Sequence, residues 1–168
     1  MSTRSIIGHP YGDGFRGRYC HWDGYPTYNG KAIWDLVKRD GIERVAATLF
    51  ITNYQWSSLN ESKLVPDIIN GEELRNVVPG YGTIYTDASA EDWVTWTGSE
   101  EDDLWCTEWA YIIDVPSSTM AIFKIDNNQV TLVTTINMYS ELEPDWEFIQ
   151  AKGYGISREF YSNNKESA

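Results

Sequence analysis

Cysteine and histidine are scarce in this chain of 168 residues, with two of each. Cys20 and Cys106 are too few for a disulfide framework, so free thiols are expected. Two Cys and two His also leave little to complete a metal coordination shell, so no metal and no cofactor is expected. Long apolar runs are missing as well. No stretch approaches the ~18 residues of a membrane span. The N-terminus lacks the basic region and apolar stretch of a signal peptide, so a soluble cytoplasmic protein without membrane contact is expected. Basic residues are few, 13 Lys and Arg against 25 Asp and Glu, and the net charge is −12. The deficit lies in one half. Residues 1–84 hold nine of each sign, whereas residues 85–168 hold four basic and sixteen acidic residues. Such a surface repels nucleic-acid phosphates and attracts basic ones, so direct nucleic-acid binding is not expected.

Aromatic residues are plentiful: 14% of the chain, with 8 Trp and 11 Tyr, beside 42% hydrophobic residues. That composition argues for a packed core rather than disorder. The length fits one domain, residues 1–168, and no repeat or linker divides it.

The pattern reads as α+β: an N-terminal β-hairpin, helices, then an antiparallel β-meander and a C-terminal helix. Arg4 to Pro10 and Phe15 to Trp22 flank the turn residues Gly12-Asp13-Gly14. A two-residue turn is expected to set His9 opposite Arg18, diagonal to Cys20. Ile33, Trp34 and Val37 have helical spacing in Lys31–Arg39, with Gly41 as the stop. Asp40 and Glu43 spell a capping box for a second helix with Ile42, Val45, Ala46 and Leu49 on its apolar face. Residues 52–86 read as loops with a short helix near Glu72–Val77. Ser89 with Asp92 looks like a further helix start. Trp109–Val115, Thr119–Ile125 and Val130–Met138 read as the meander, joined by turn residues. Ser140 with Glu143 reads as the cap of a helix that buries Leu142, Trp146 and Ile149 and stops at Gly153. Tyr154–Tyr161 reads as a last strand, and residues 162–168 as a frayed polar tail.

Two segments carry chemistry. Gly12 to Gly17 spells G-x-G-x-x-G, but a strand follows it where a dinucleotide site needs a helix, which excludes that reading. The segment Tyr19-Cys20-His21-Trp22-Asp23-Gly24-Tyr25-Pro26 gathers a thiol, an imidazole, a carboxylate and aromatic rings beside a turn. On a strand Cys20 and His21 point to opposite faces, which argues against a thiolate–imidazolium dyad. A buried structural Cys20 and a turn-forming Asp23 are expected instead. Trp93, Trp96, Trp105 and Trp109 fall within 17 residues, among eight acidic residues between Asp87 and Glu108. Trp93, Trp96 and Trp105 with Glu100, Glu101, Asp102 and Asp103 are the candidate binding face for a basic protein.

Together with the opening Ser2 to Gly8 and Asn29-Gly30, the Tyr-Cys-His-Trp-Asp-Gly-Tyr-Pro segment resembles a family of small proteins found mainly in bacteriophages and prophages. The resemblance covers mainly residues 2–40. Relatives place a further apolar residue just before Tyr-Cys, where this chain has Arg16-Gly17-Arg18. The resemblance implies a phage accessory protein in the bacterial host cytoplasm. The leading expectation is a non-enzymatic protein that binds and modulates a host protein with a basic surface, through the acidic C-terminal half. The alternatives are a small-molecule pocket, with Arg4, Arg16 and Arg18 holding phosphates, and a hydrolase centred on Cys20, His21 and Asp23.

Overall fold

Successive residues of an extended chain point to opposite sides, and residues 5–20 are sorted in this way between two cores. Ile7 and Cys20 enter one cluster, Ile6 and Phe15 the other. The computed structural model describes residues 2–63, 65–66, 73–74, 76–85 and 92–166. It is an α+β fold on a mixed sheet of nine strands. Strands β1 (Ser5–Tyr11) and β2 (Gly14–Cys20) form the expected hairpin. The turn is Gly12-Asp13 rather than Asp13-Gly14, with Gly12 at φ 57°. Glycine in the first position supplies the positive φ that a two-residue hairpin requires. The register therefore differs from expectation. His9 faces Arg16, and Ser5 is the residue opposite Cys20, so no His9–Cys20 pair forms.

A turn of π-helix over Pro26–Gly30 leads into α1 (Lys31–Asp40). This helix buries Ile33, Trp34, Leu36 and Val37 and ends at Gly41, at φ 88°. Helix α2 (Ile42–Ala46) continues as a π-helical turn over Ala47–Ile51, and Val45, Ala46 and Leu49 are buried as their spacing predicts. The Asp40–Glu43 capping box is not made. Asp40 closes α1, and its carboxylate accepts from the Tyr81 hydroxyl at 2.6 Å and from Arg39 at 2.8 Å.

Short strands follow: β3 (Trp56–Ser58), β4 (Val65–Pro66), β5 (Glu73–Leu74), β6 (Val77–Val78) and β7 (Gly82–Ile84). Strands thus stand where a helix near Glu72–Val77 was expected, while Glu72 and Arg75 lie outside the described residues. The helix start at Ser89 also lies outside them, and Trp96 belongs to a strand, β8 (Val94–Trp96). The three residues Val, Thr and Trp favour extended backbone.

The expected meander is present as β9 (Trp109–Asp114), β10 (Thr119–Asp126) and β11 (Gln129–Asn137). The helix expected from Ser140 starts later, as α3 (Trp146–Gly153). Pro144 disfavours helical backbone at Glu143 and stops a helix from running through it. Asp145 is the cap, accepting the Phe148 N–H at 3.1 Å. Leu142 is left 84% exposed. Residues 158–166 form a helix, α4 (Arg158–Glu166), where a strand and a frayed tail were expected. Ser157 begins it, its hydroxyl accepting the Phe160 N–H as an N-cap does.

The strand order is β11-β10-β9-β1-β2-β3-β7-β6. The N-terminal hairpin therefore sits inside the sheet. Ser5–Gly8 run parallel to Trp109–Ile112, and the outer side of β2 is shared between β3 at Cys20 and β8 at Phe15–Gly17. One sheet face packs Ile7, Tyr111, Ile113 and Ile122 against α1, α2 and α3. The other face is built from Ile6, Phe15, Val94, Leu104, Ala110, Ile112 and Ile125, and among the described residues no helix contributes to this cluster, so it is called the helix-free face below.

Candidate functional site

The segment of residues 19–26 ends a buried strand and turns. Cys20 is fully buried; its thiol points to the Trp22 carbonyl at 3.6 Å and takes the Asn29 amide at 3.5 Å. Burial pushes the thiol up to about 12, far from the range of a working nucleophile. Asn29, also buried, donates to the Ser5 hydroxyl and to the Trp22 carbonyl, each at 3.2 Å. Its N–H bonds the carbonyls of Asp23 and Tyr25. Asp23 takes φ 61°, which short polar residues tolerate. Gly24 lies against the N-terminal strand, where an added Cβ would meet the Thr3 carbonyl at 2.6 Å. The Gly24 carbonyl accepts from the buried Tyr111 hydroxyl at 2.5 Å. Tyr25 caps the π-helical turn.

His21 stands apart from this network. Its Nδ1 meets the Tyr19 hydroxyl at 2.7 Å, and its ring packs edge-on against Trp22 and Tyr85. Burial, then the nearby Arg4, holds His21 below the usual imidazole range. Cys20, His21 and Asp23 thus occupy separate environments: a buried strand, a half-buried aromatic group and a left-handed turn. The second strand is buried despite Arg16-Gly17-Arg18. Arg18 is 2% exposed. It donates to the carbonyls of Phe50 and Asp92 and to the Asn53 side chain, and it lies 3.5 Å over the Trp93 ring. Arg16 stacks over Tyr11 and Trp93 and donates to His9 Nε2. Both guanidiniums are committed to contacts within the fold rather than aimed together at a phosphate.

The acidic run lies in the loop from Thr97 to Glu108. Asp102 organises it, accepting the Thr97 N–H and hydroxyl, each at 2.8 Å, and the Gly98 N–H at 3.0 Å. Burial would raise this carboxyl, but the hydrogen bonds outweigh it and hold it below the usual range. Asp103 accepts the Trp105 N–H at 2.9 Å. Leu104 is fully buried in the helix-free face, whereas Glu100, Glu101 and Asp103 are exposed. Trp96 packs on Phe15 and Phe123, and Trp105 on Tyr19.

The expected binding residues therefore divide. Trp96, Trp105 and the acidic loop share the helix-free face. Trp93 belongs to the opposite cluster, with Arg16, Arg18 and His9. Trp109 is fully buried. Phe123, half-buried beside Trp96, and Leu132, 54% exposed, also lie along β10 and β11 at this side and were not singled out in the sequence. Strand parity was the available signal, since Phe123 shares its side with Ala121. A cleft of about 590 Å³ runs between Gly98–Glu100 and Asn127–Thr131, with Trp96 in its wall. An apolar cleft of about 350 Å³ lies elsewhere, lined by His9, Phe50, Ile113 and Pro116. No group of three or more metal-ligating side chains occurs among the described residues, and no helix there is long and apolar enough to cross a membrane. No protein-family model, curated protein or solved structure matches the chain, and its site is defined by this geometry alone.

Proposed function

We propose that the chain is a non-enzymatic phage accessory protein that binds a basic surface of a host protein through the helix-free sheet face and the acidic loop beside it. One arrangement carries this reading. Half-buried Trp96, Trp105 and Phe123 stand next to a loop on which Glu100, Glu101 and Asp103 are exposed. Indole and phenyl rings supply contact energy at the centre of an interface, and surrounding carboxylates steer a basic partner toward it. Asp102 is spent on the shape of the loop rather than on a partner. A loop held in one shape loses less conformational freedom on docking. The segment of residues 19–26 serves as the keystone that joins the hairpin, the first helix and Tyr111. Its buried, proton-holding thiol and its separated His21 and Asp23 weigh against a hydrolase.

The test leaves Asp102 in place. Immobilised chain is exposed to bacterial lysate at low and high salt, beside the variant E100Q/E101Q/D103N. The expected result is a host protein retained at low salt, with retention by the variant lowered roughly tenfold and its salt dependence flattened. Equal retention by both chains ends this reading.

A further inference from the structure

We propose that the cleft where β1 and β9 part binds an uncharged aromatic heterocycle of one or two rings and accepts a hydrogen bond from its N–H. The two strands are parallel neighbours, and their connections leave in opposite directions, β1 to β2 and β9 to β10. Such a divergence opens a crevice at the carboxyl ends of the strands, the place where open α/β sheets hold their ligands. The apolar cleft of about 350 Å³ lies at those ends, with His9 and Pro10 on one side and Ile113 to Pro116 on the other. The ladder between the strands stops at Gly8 and Ile112, although β1 runs on to Tyr11 and β9 to Asp114. Each prong keeps its outer partner beyond that point: Pro10 pairs with Phe15, and Ile113 with Met120. The sheet itself therefore holds the fork open.

A proline makes the fork. Tyr11 and Gly14 close a two-residue turn as a hydrogen-bonded pair, so odd residues of β1 bond toward β2 and even residues toward β9. Along β9 the parity is reversed. The Ile125 N–H bonds the Glu108 carbonyl, so even residues there bond toward β10, and Trp109, Tyr111 and Ile113 bond toward β1. The next donor to the Ile113 carbonyl is then Pro10, which has no N–H. That carbonyl is left in the fork as an acceptor, and it selects a ligand with a donor. The Pro10 carbonyl is already taken by His9 Nδ1 at 2.8 Å, and His9 Nε2 accepts from Arg16 at 3.3 Å. The imidazole thus offers the cleft its ring rather than a hydrogen bond. It lies nearly parallel to the Phe50 ring, with 21° between the planes. Val115 and the 64% exposed Ile51 complete apolar walls. Asp114 follows Ala110 and Ile112 to the other face of the sheet. A charged ligand would lose its water in this cleft without gaining a partner, whereas an apolar ring suits it. A cavity of about 150 Å³ holds benzene, so one or two rings fit this larger one. The site lies on the helix-covered face, apart from the acidic loop, and does not depend on the host-protein reading.

Equilibrium dialysis of indole against the full chain tests this. A Kd on the order of 100 µM is expected for so small a ligand in an open cleft. 1-Methylindole has a methyl group in place of the donor hydrogen and should bind roughly tenfold more weakly. Pro10→Ala restores the N–H that the Ile113 carbonyl lacks. This variant should keep its fold by circular dichroism and bind indole roughly tenfold more weakly, because the fork closes. Ile51→Glu sets a charge at the mouth of the cleft, at a residue that is already exposed, and should weaken binding by a similar factor. No retention of indole up to about 1 mM overturns the proposal. So does retention that either folded variant leaves unchanged, or equal retention of the two ligands. If Pro10→Ala unfolds, Ile51→Glu decides.

Discussion

A thiol reads its surroundings, and the two in this chain are set apart by theirs. Cys20 has no exposed surface and is held up to about 12 by burial, whereas Cys106 is exposed in a left-handed turn at φ 58°. Only a thiolate reacts, and only where a reagent can reach it. Titration of the native protein with a thiol reagent near neutral pH should therefore label one cysteine quickly, identified as Cys106 by mass analysis of peptides. The second should react only after denaturation. Rapid labelling of Cys20 would reopen the hydrolase reading. The same residue shows what the sequence made legible. Alternation along a strand separates Cys20 from His21 before any coordinates are known. What holds Cys20 in place is not legible, because Asn29, nine positions on, donates to it and Trp56, thirty-six positions on, pairs with it in the sheet.

At the scale of elements, local signals succeed where nothing competes with them. The hairpin, α1 and the meander follow from turn residues, helical spacing and β-branched runs, and the structure has all three. The errors fall where two caps compete. Ser140 and Asp145 both suit an N-cap, and Pro144 decides for Asp145. Ser157 opens a helix from aromatic residues that alone read as a strand. The acidic run shows the converse. Its four carboxylates look alike in the sequence, yet Asp102 takes three hydrogen bonds from Thr97 and Gly98 while Glu100 and Glu101 stand free in solvent. Asp102→Ala should lower stability by about 1 kcal/mol, the scale of hydrogen bonds to a carboxylate in a loop partly open to solvent. Glu101→Ala should change it by less than about 0.5 kcal/mol. Chemical denaturation of the two variants measures the difference, and equal midpoints would mean that Asp102 does not organise the loop.

For the whole molecule, the charge predicts how stability follows pH. His9 donates from Nδ1 to the Pro10 carbonyl and accepts from Arg16 at Nε2, so it is held as the neutral ring. Burial, opposed by the Pro10 bond and aided by Arg16, keeps it below the ordinary range; His21 is lowered too, by burial and Arg4. The unfolded chain therefore takes up these protons first, at about pH 6.5. Stability from both rings is complete above that value and is lost as pH falls toward the folded values. Lowered carboxyls such as Asp102 and Glu143 add their loss only in stronger acid. The melting temperature should thus fall from pH 7 to pH 5, and the variant H9Q/H21Q should show a flatter profile over that interval. An identical slope in both proteins would assign the loss to other groups.

The parallel seam between Ser5–Gly8 and Trp109–Ile112 also fixes an order of events during synthesis. The hairpin leaves the ribosome before its inner neighbour, which follows about a hundred residues later, a delay of roughly 5–20 seconds at common elongation rates. For that interval Ile6 and Ile7 lack the strand that covers them. The nascent chain thus carries an open, apolar ribbon until its second half emerges, and a chaperone has a defined window in which to hold it.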